Sequence, residues 1–256
     1  MNLLQFNILD GCPSEDRFQK FNTWMANQDY DVIGFNELNG WNANRLQEQA
    51  RKWGYDYSAI FEMETSPYFV GLISKTPIEI IRRDEENFYH GLLHAKTNGT
   101  HFFIAHLTPF ESIFREKEAA KLAEFVQEIN EPVVVMGDMN TLSPLDRDYY
   151  NRKNITEQLA EKETVPKQQV VDGKINYKPM EILLQAGLYD VGFNGTFTSS
   201  FPTPLKHDLT KAIERRIDYI LVNDLFMKRH PIANVLKDDE LDHLSDHYPI
   251  QCICYL

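Results

Sequence analysis

Val133-Val134-Val135-Met136-Gly137-Asp138-Met139-Asn140 is the stretch from which the fold is read. Its apolar run predicts a buried strand that stops abruptly in Gly-Asp-x-Asn. Working outward, Pro132 starts this strand, and residues 111–130 before it predict a helix. Ile113, Leu122, Phe125, Val126 and Ile129 supply most of that helix's buried side. Further out, Leu244-Ser245-Asp246-His247-Tyr248-Pro249-Ile250 sets an Asp-His pair before a closing apolar strand over 249–255.

The rest of the chain extends this pattern. Residues 3–8 predict a first strand. Ser14 caps a helix with Glu15 and Asp16 in its first turn, and Phe18, Phe21 and Met25 form its buried stripe. Residues 32–35 predict a second buried strand that delivers Glu37 just past its end. Asn42 caps the next helix, which Gly54 ends. Strands follow over 69–74, 78–81, 88–97 and 100–107. Asn98-Gly99 marks a hairpin whose second strand ends with His106. Residues 141–171 are polar and predict a helical insertion, not a domain boundary. A short helix over 180–186 ends at Gly187, residues 193–208 predict a loop, and a strand over 217–222 carries Asp218. Two packed sheets with helices outside account for this order within one domain, 1–256.

Composition bounds the function. Lys and Arg number 26 against 38 Asp and Glu, a net charge of −12, which disfavours a broad basic face for nucleic acid. It leaves room for a local metal site that overrides the global field. The three cysteines, Cys12, Cys252 and Cys254, do not make a disulfide framework and suit a reducing, cytoplasmic setting. The first residues lack a basic region and a long apolar stretch, so neither a signal peptide nor membrane insertion is expected.

Each candidate for chemistry also has a plain structural alternative. Glu37 is a ligand or a solvated turn residue. Asn7, inside a buried strand, is a structural hydrogen-bonder or orients something charged. Asp138 and Asn140 form a strand-end turn or a reactive pair. His106 is a ligand contact or a half-buried structural histidine. Asp218, flanked by apolar residues, needs a partner, and His247 is the attractive one. Asp246 is then left to face a metal or water. Carboxylate, amide and imidazole at strand ends are what metal-assisted phosphoester cleavage needs.

Together these residues resemble the endonuclease/exonuclease/phosphatase superfamily. The resemblance runs from the first strand to the last. It is carried by Phe6-Asn7, Asn36-Glu37, His106-Leu107, Gly137-Asp138-Met139-Asn140, Arg216-Ile217-Asp218-Tyr219 and Ser245-Asp246-His247. It implies an α/β (α+β) fold, a four-layer αββα sandwich of two mixed sheets with the site at one rim. It implies Glu37 as the principal Mg²⁺ ligand, with Asn7 and Asp246 nearby and Mn²⁺ as a substitute. Asp138 would orient or deprotonate the attacking water, and Asn140 would hold the phosphate or that water. His106 and His247 would contact phosphate oxygens, and Asp218 would orient His247.

A small or exposed phosphoester is the expected substrate. A DNA or RNA nuclease, abasic-site cleavage included, is the alternative, and a non-catalytic binding module is a third reading. Residues 237–242 place four acids before Ser-Asp-His, which would repel a long polyanion if they rim the site. Lys211, Arg215 and Arg216 are the nearest basic cluster, expected as solvated charges.

Overall fold

A computed structural model describes residues 1–163, 167–206 and 212–255. In chain order the described elements are β1 Asn2–Asn7, α1 Glu15–Ala26, β2 Val32–Asn36, α2 Ala43–Lys52, β3 Tyr57–Phe61, β4 Val70–Ser74 and β5 Glu79–Asp84. Then come β6 Leu92–Thr97, β7 Thr100–His106, α3 Ser112–Gln127, β8 Val133–Asp138, α4 Arg147–Arg152 and α5 Ile155–Lys162. The series ends with β9 Val170–Val171, β10 Lys174–Ile175, α6 Lys178–Gln185, β11 Leu188–Asp190, β12 Asp218–Asn223, α7 Asp224–Met227, β13 Pro231–Val235 and β14 Ile250–Cys254.

Among the described residues the long strands form two six-stranded mixed sheets. One runs β13-β14-β1-β2-β4-β3, the other β11-β12-β8-β7-β6-β5. Each has a central parallel pair, β1 with β2 and β7 with β8, flanked by antiparallel neighbours. Each pair is joined through a helix, α1 or α3, as a parallel crossover requires.

Strand alternation sorts the side chains into layers. Leu3, Val32, Leu72, Ile104, Val134, Met136, Ile220 and Cys252 meet between the sheets. Leu4, Phe6, Ile33 and Phe35 face outward onto Phe21, Trp24 and Met25 of α1 and Leu46 and Ala50 of α2. Phe103, Ala105, Val133 and Val135 face outward onto Leu122, Phe125 and Val126 of α3 and Met180 and Leu183 of α6. This is the αββα sandwich expected from the sequence. Ser14 and Asn42 cap α1 and α2 through their side chains.

Some details differ. Ile113 is 47% exposed, because the first turn of α3 buries Ser112 and Arg115 instead. The strand expected over 78–81 is the edge strand β5, mostly exposed. Residues 141–171 hold α4 and α5, whose Tyr150, Ile155 and Leu159 pack with Phe201 and Ile217 in a small core of their own. Lys211 and residues 164–166 lie outside the described residues. No described helix is long and apolar enough to cross a membrane.

Candidate active site

Register brings the polar strand ends together. Asn7 stands opposite Asn36 on β1 and β2, and Asp138 stands opposite both His106 and Asp218 on β7, β8 and β12. A row of opposed residues points to the same side of a sheet, so His106, Asp138 and Asp218 share one face.

Asp138 is the hub. Its Oδ1 accepts the Asn140 backbone N–H at 2.8 Å, which leaves Oδ2 aimed at the other groups. Asn7 Nδ2 lies 3.3 Å from Oδ2, His106 Nε2 3.6 Å and His247 Nε2 3.8 Å. The two imidazole separations are too long for direct hydrogen bonds and leave room for an oxygen between. Gly137 is required just before this carboxylate. Its φ is +152°, and a Cβ there would lie 1.8 Å from the Ala105 carbonyl oxygen.

His247 lies between carboxylates. Its Nδ1 is 2.8 Å from Asp218 Oδ2, and its Nε2 is 3.9 Å from Asp246 Oδ1. The Asp218 N–H donates to Ser200 Oγ at 3.1 Å, and the His247 N–H donates to Ser245 Oγ at 3.2 Å. Ser245 Oγ in turn donates to the Asn7 carbonyl at 2.6 Å, tying the Asp-His segment to β1.

Glu37, at φ +60°, follows β2 directly. Its Oε1 accepts from Asn7 Nδ2 at 3.0 Å and its Oε2 from the Asp10 N–H at 2.9 Å. Asn7 Oδ1 accepts the Leu9 N–H, so the amide presents its nitrogen to both carboxylates. Asn140, at φ +46°, donates its Nδ2 to the Leu107 carbonyl at 2.9 Å. Asparagine tolerates that left-handed geometry better than most residues.

Burial dominates the electrostatics. It pushes the Asp138 carboxyl up to about 8, reinforced by Asp218 and opposed by His247 and the Asn140 N–H. Burial opposes a charge on His247 as well, but Asp218, Asp138 and Asp246 outweigh it and push the imidazole up to about 10. His247 is therefore the cation of the cluster. Burial, with His90 and His247 nearby, holds His106 well below the usual histidine value, so it stays neutral. Burial also raises Glu37, and the Asp246 charge adds to that effect.

Sequence reading missed several supports. Asn36 links the sheets: its Oδ1 accepts the Asp138 N–H at 2.7 Å and Gln5 Nε2 at 2.6 Å, and its Nδ2 donates to the Ala105 carbonyl at 2.9 Å. An amide inside an apolar strand was the available signal, the same one that marked Asn7. Ser200, in a loop, carried no signal. The expectation for Arg216 is overturned. It is 3% exposed, because it pairs with Asp146 at 2.7 Å and Asp190 at 2.6 Å to pin the insertion and β11. Arg215 is half-buried and lies over the Phe201 ring. Phe201 itself is buried, its ring centroid 5.0 Å from that of His247, whereas Phe110 and Phe114 are exposed.

Among the described residues, one trio of ligand-type atoms lies within 4.8 Å of one another: those of Asp138, Asp218 and His247. The 2.8 Å Asp218–His247 hydrogen bond already satisfies part of that trio. Glu37 and Asp246 are the alternative donors. Asp246 Oδ1 is buried with no hydrogen-bond partner, an unmatched acceptor that a hard cation suits.

The model of the Endonuclease/Exonuclease/phosphatase family matches residues 4–247. The chain belongs to this family. It is thus a divalent-metal-dependent hydrolase of phosphate esters. A comparison with curated proteins gives no match. Among solved structures, an AP endonuclease from Archaeoglobus fulgidus is 16% identical with a TM-score of 0.73, both chains covered over 100% of their length. The 3′ phosphatase NExo from Neisseria, bound to a product DNA hairpin, is 18% identical with a TM-score of 0.71 and the same coverage. A beta toxin from Staphylococcus aureus is 16% identical with a TM-score of 0.63 over 99% of each chain. At these identities the likeness concerns the fold.

Proposed function

We propose that this chain is a Mg²⁺-dependent phosphoesterase that cleaves a small or exposed phosphodiester or phosphomonoester. The observation that carries this reading is the approach of Asn7, His106 and His247 to Asp138 Oδ2, with Glu37 held by Asn7, and Asp218 and Asp246 beside His247. Glu37 and Asp246 are the oxygen donors for Mg²⁺, with Mn²⁺ as a substitute. Asn7 serves the ion through Glu37, which it holds by Nδ2. When bound, the ion neutralises charge on the phosphate and lowers the pKa of an attached water.

The residues supply the rest. Asp138 Oδ2 accepts a proton from the attacking water, and its burial beside Asp218 raises its affinity for that proton. The water oxygen bonds to phosphorus as the bond to the leaving oxygen breaks. His247, held as imidazolium by Asp218, and neutral His106 donate to the phosphate oxygens. Asn140 fixes Asp138 Oδ1 through its backbone N–H and ties that turn to Leu107 through its side-chain amide. The whole chain acts as one domain, and the 141–171 insertion braces the site where Gln169 Nε2 donates to the Asn140 carbonyl. The free thiols suit a cytoplasmic enzyme.

The names of two structural relatives, an AP endonuclease and a DNA-bound 3′ phosphatase, favour nucleic acid as a second reading. The electrostatics favours the first. Arg216 is consumed by Asp146 and Asp190, and Lys206 is paired with Asp246 at 3.3 Å. Neutralising several phosphates takes several free, clustered cations. The test is a Mg²⁺ titration with bis-p-nitrophenyl phosphate, p-nitrophenyl phosphate and an oligonucleotide at near-physiological salt. Higher kcat/KM on a small ester supports the proposal. A marked preference for the oligonucleotide, selectively lost in Arg215→Ala, overturns the substrate choice. Full activity in chelator overturns the metal assignment.

A further inference from the structure

Beside His106 a run of rings leads out of the site. His106 lies 4.5 Å from His90, centroid to centroid, and His90 lies 4.8 Å from Tyr68 and 4.7 Å from Tyr89. Tyr89 meets Phe110 edge-on at 5.1 Å. Tyr89 is 51% exposed and Phe110 40%, so the outer end of the run is open to solvent. Tyr68 borders Glu37: the Leu38 N–H donates to the Phe69 carbonyl at 3.0 Å, and the charges of Asp10 and Glu37 add to burial in raising the Tyr68 hydroxyl.

Single exposed rings need no explanation. These sit on loops fastened from beneath by two buried charges of α3. Glu118, 4% exposed, accepts the Tyr89 N–H through Oε1 and the Thr108 N–H through Oε2, each at 2.8 Å. Arg115, fully buried, donates to the carbonyls of Thr108 at 3.0 Å, Phe110 at 2.5 Å and Gln168. Burying an arginine and a glutamate to hold two surface loops is costly. What these two groups fix is the placement of Tyr89 and Phe110 relative to His106.

We propose that Tyr68, Tyr89 and Phe110 recognise the organic group of the phosphoester, and that they take a flat, uncharged ring attached close to the phosphate. The inference rests on the phosphoesterase reading, because the run of rings ends where that reading puts the phosphate. Ring faces and edges reward planar groups over saturated ones of equal size. Glu64, Glu85 and Glu86 flank the same loops, which disfavours a group with further negative charge. Glu118 is a positioning residue in this scheme, since it reaches the ligand only through the two loops.

The test is calorimetric binding of phenyl, cyclohexyl and methyl phosphate, with Mg²⁺, to the full chain carrying Asp138→Asn, so that the esters bind without being hydrolysed. All three carry the same phosphate, so they differ only in the organic group. This protein should bind phenyl phosphate about tenfold tighter than methyl phosphate, the scale of one stacked ring. Cyclohexyl phosphate should resemble methyl phosphate. Adding Tyr89→Ala with Phe110→Ala should bring the phenyl-to-methyl ratio near one, whereas Tyr89→Phe with Phe110 intact should keep it. Glu118→Gln should lower the ratio partway, whereas a purely structural role would weaken both ligands equally. His247→Ala should weaken all three and preserve the ratio. Equal binding of phenyl and methyl phosphate overturns the ring surface and leaves the phosphate site standing. Equal binding of phenyl and cyclohexyl phosphate overturns the requirement for planarity. Binding of none of them overturns both the surface and the reading beneath it.

Discussion

The two sheets are built to one plan and carry different chemistry. In each, a parallel pair joined through a helix lies between two antiparallel edge pairs: β1-α1-β2 between β13-β14 and β3-β4 in one, and β7-α3-β8 between β5-β6 and β11-β12 in the other. The ends of equivalent strands face each other across the site. β1 ends in Asn7 and β7 in His106; β2 leads to Glu37 and β8 ends in Asp138. The first sheet contributes the acids suited to a cation and the His247 imidazolium. The second contributes the raised Asp138 carboxyl, neutral His106, and Asp218 to hold His247. Neither rim has the complete set that the proposed mechanism uses. The difference teaches that the proposed site depends on the sheet-to-sheet docking, which Asn36 fastens.

The largest expected effect comes from disabling one rim at a time. Asp138→Asn should lower kcat by about 10²–10⁴-fold, the usual reach of a positioned base. Glu37→Gln should cost a comparable factor and raise the Mg²⁺ concentration needed for half-maximal rate. If the rims act as one unit, the double variant will be little worse than the worse single one. Multiplying losses in steady-state kinetics would break the comparison, because the rims would then be independent. Asp218→Asn comes next, at about 10²-fold in kcat, since the ring keeps a neighbour but loses the charge that makes it a cation. An unchanged rate would remove Asp218 from the pair.

Much of this was legible in the sequence because it follows from local pattern. Apolar runs fixed the central strands, Asn98-Gly99 fixed a hairpin, and Ser14 and Asn42 fixed two helix starts. The polar residues ending those strands were conspicuous because polar groups in apolar runs need partners. The supports were not legible. Arg216 looks solvated in sequence, and only the fold brings Asp146 and Asp190 from 70 and 26 residues away. Ser200 sits in a loop whose course is set by tertiary contacts. Arg115 and Glu118 lie on an ordinary helical pattern, and their burial depends on loops that no periodicity predicts.

Removing the fastener tests the docking itself. Asn36→Ala leaves the Asp138 N–H, the Ala105 carbonyl and the Gln5 amide without their partner. Loss of stability of about 3 kcal/mol is expected, read as a lower urea midpoint at unchanged slope, with a parallel fall in kcat. A stable variant with normal kcat would mean that the core alone sets the sheet alignment.

The smallest effect separates the helices behind the two rims. On the first sheet, Arg17 of α1 donates to the carbonyls of Ile8, Leu9 and Leu244. On the second, Arg115 of α3 plays the matching part for Thr108, Phe110 and Gln168, but only α3 adds a buried acid, Glu118. Burial pushes that carboxyl up to about 7 from 4.5, against the pull of the Thr108 and Tyr89 N–H groups and Arg115. A carboxyl raised in the folded state prefers its proton there. Its stabilising contribution is therefore complete below pH 4.5 and is lost as pH rises through 7. Glu118→Gln removes this dependence. Between pH 5 and 8 the wild type should lose on the order of 2 kcal/mol relative to the variant, seen in paired urea melts. Hydrogen exchange should place the alkaline loosening at the Thr108 and Tyr89 amides, while Arg17's loop around Ile8 stays protected. A constant difference between the two proteins across that range would mean that the N–H groups and Arg115 fully offset the buried charge, and the α3 anchor would then be as insensitive to pH as Arg17 of α1.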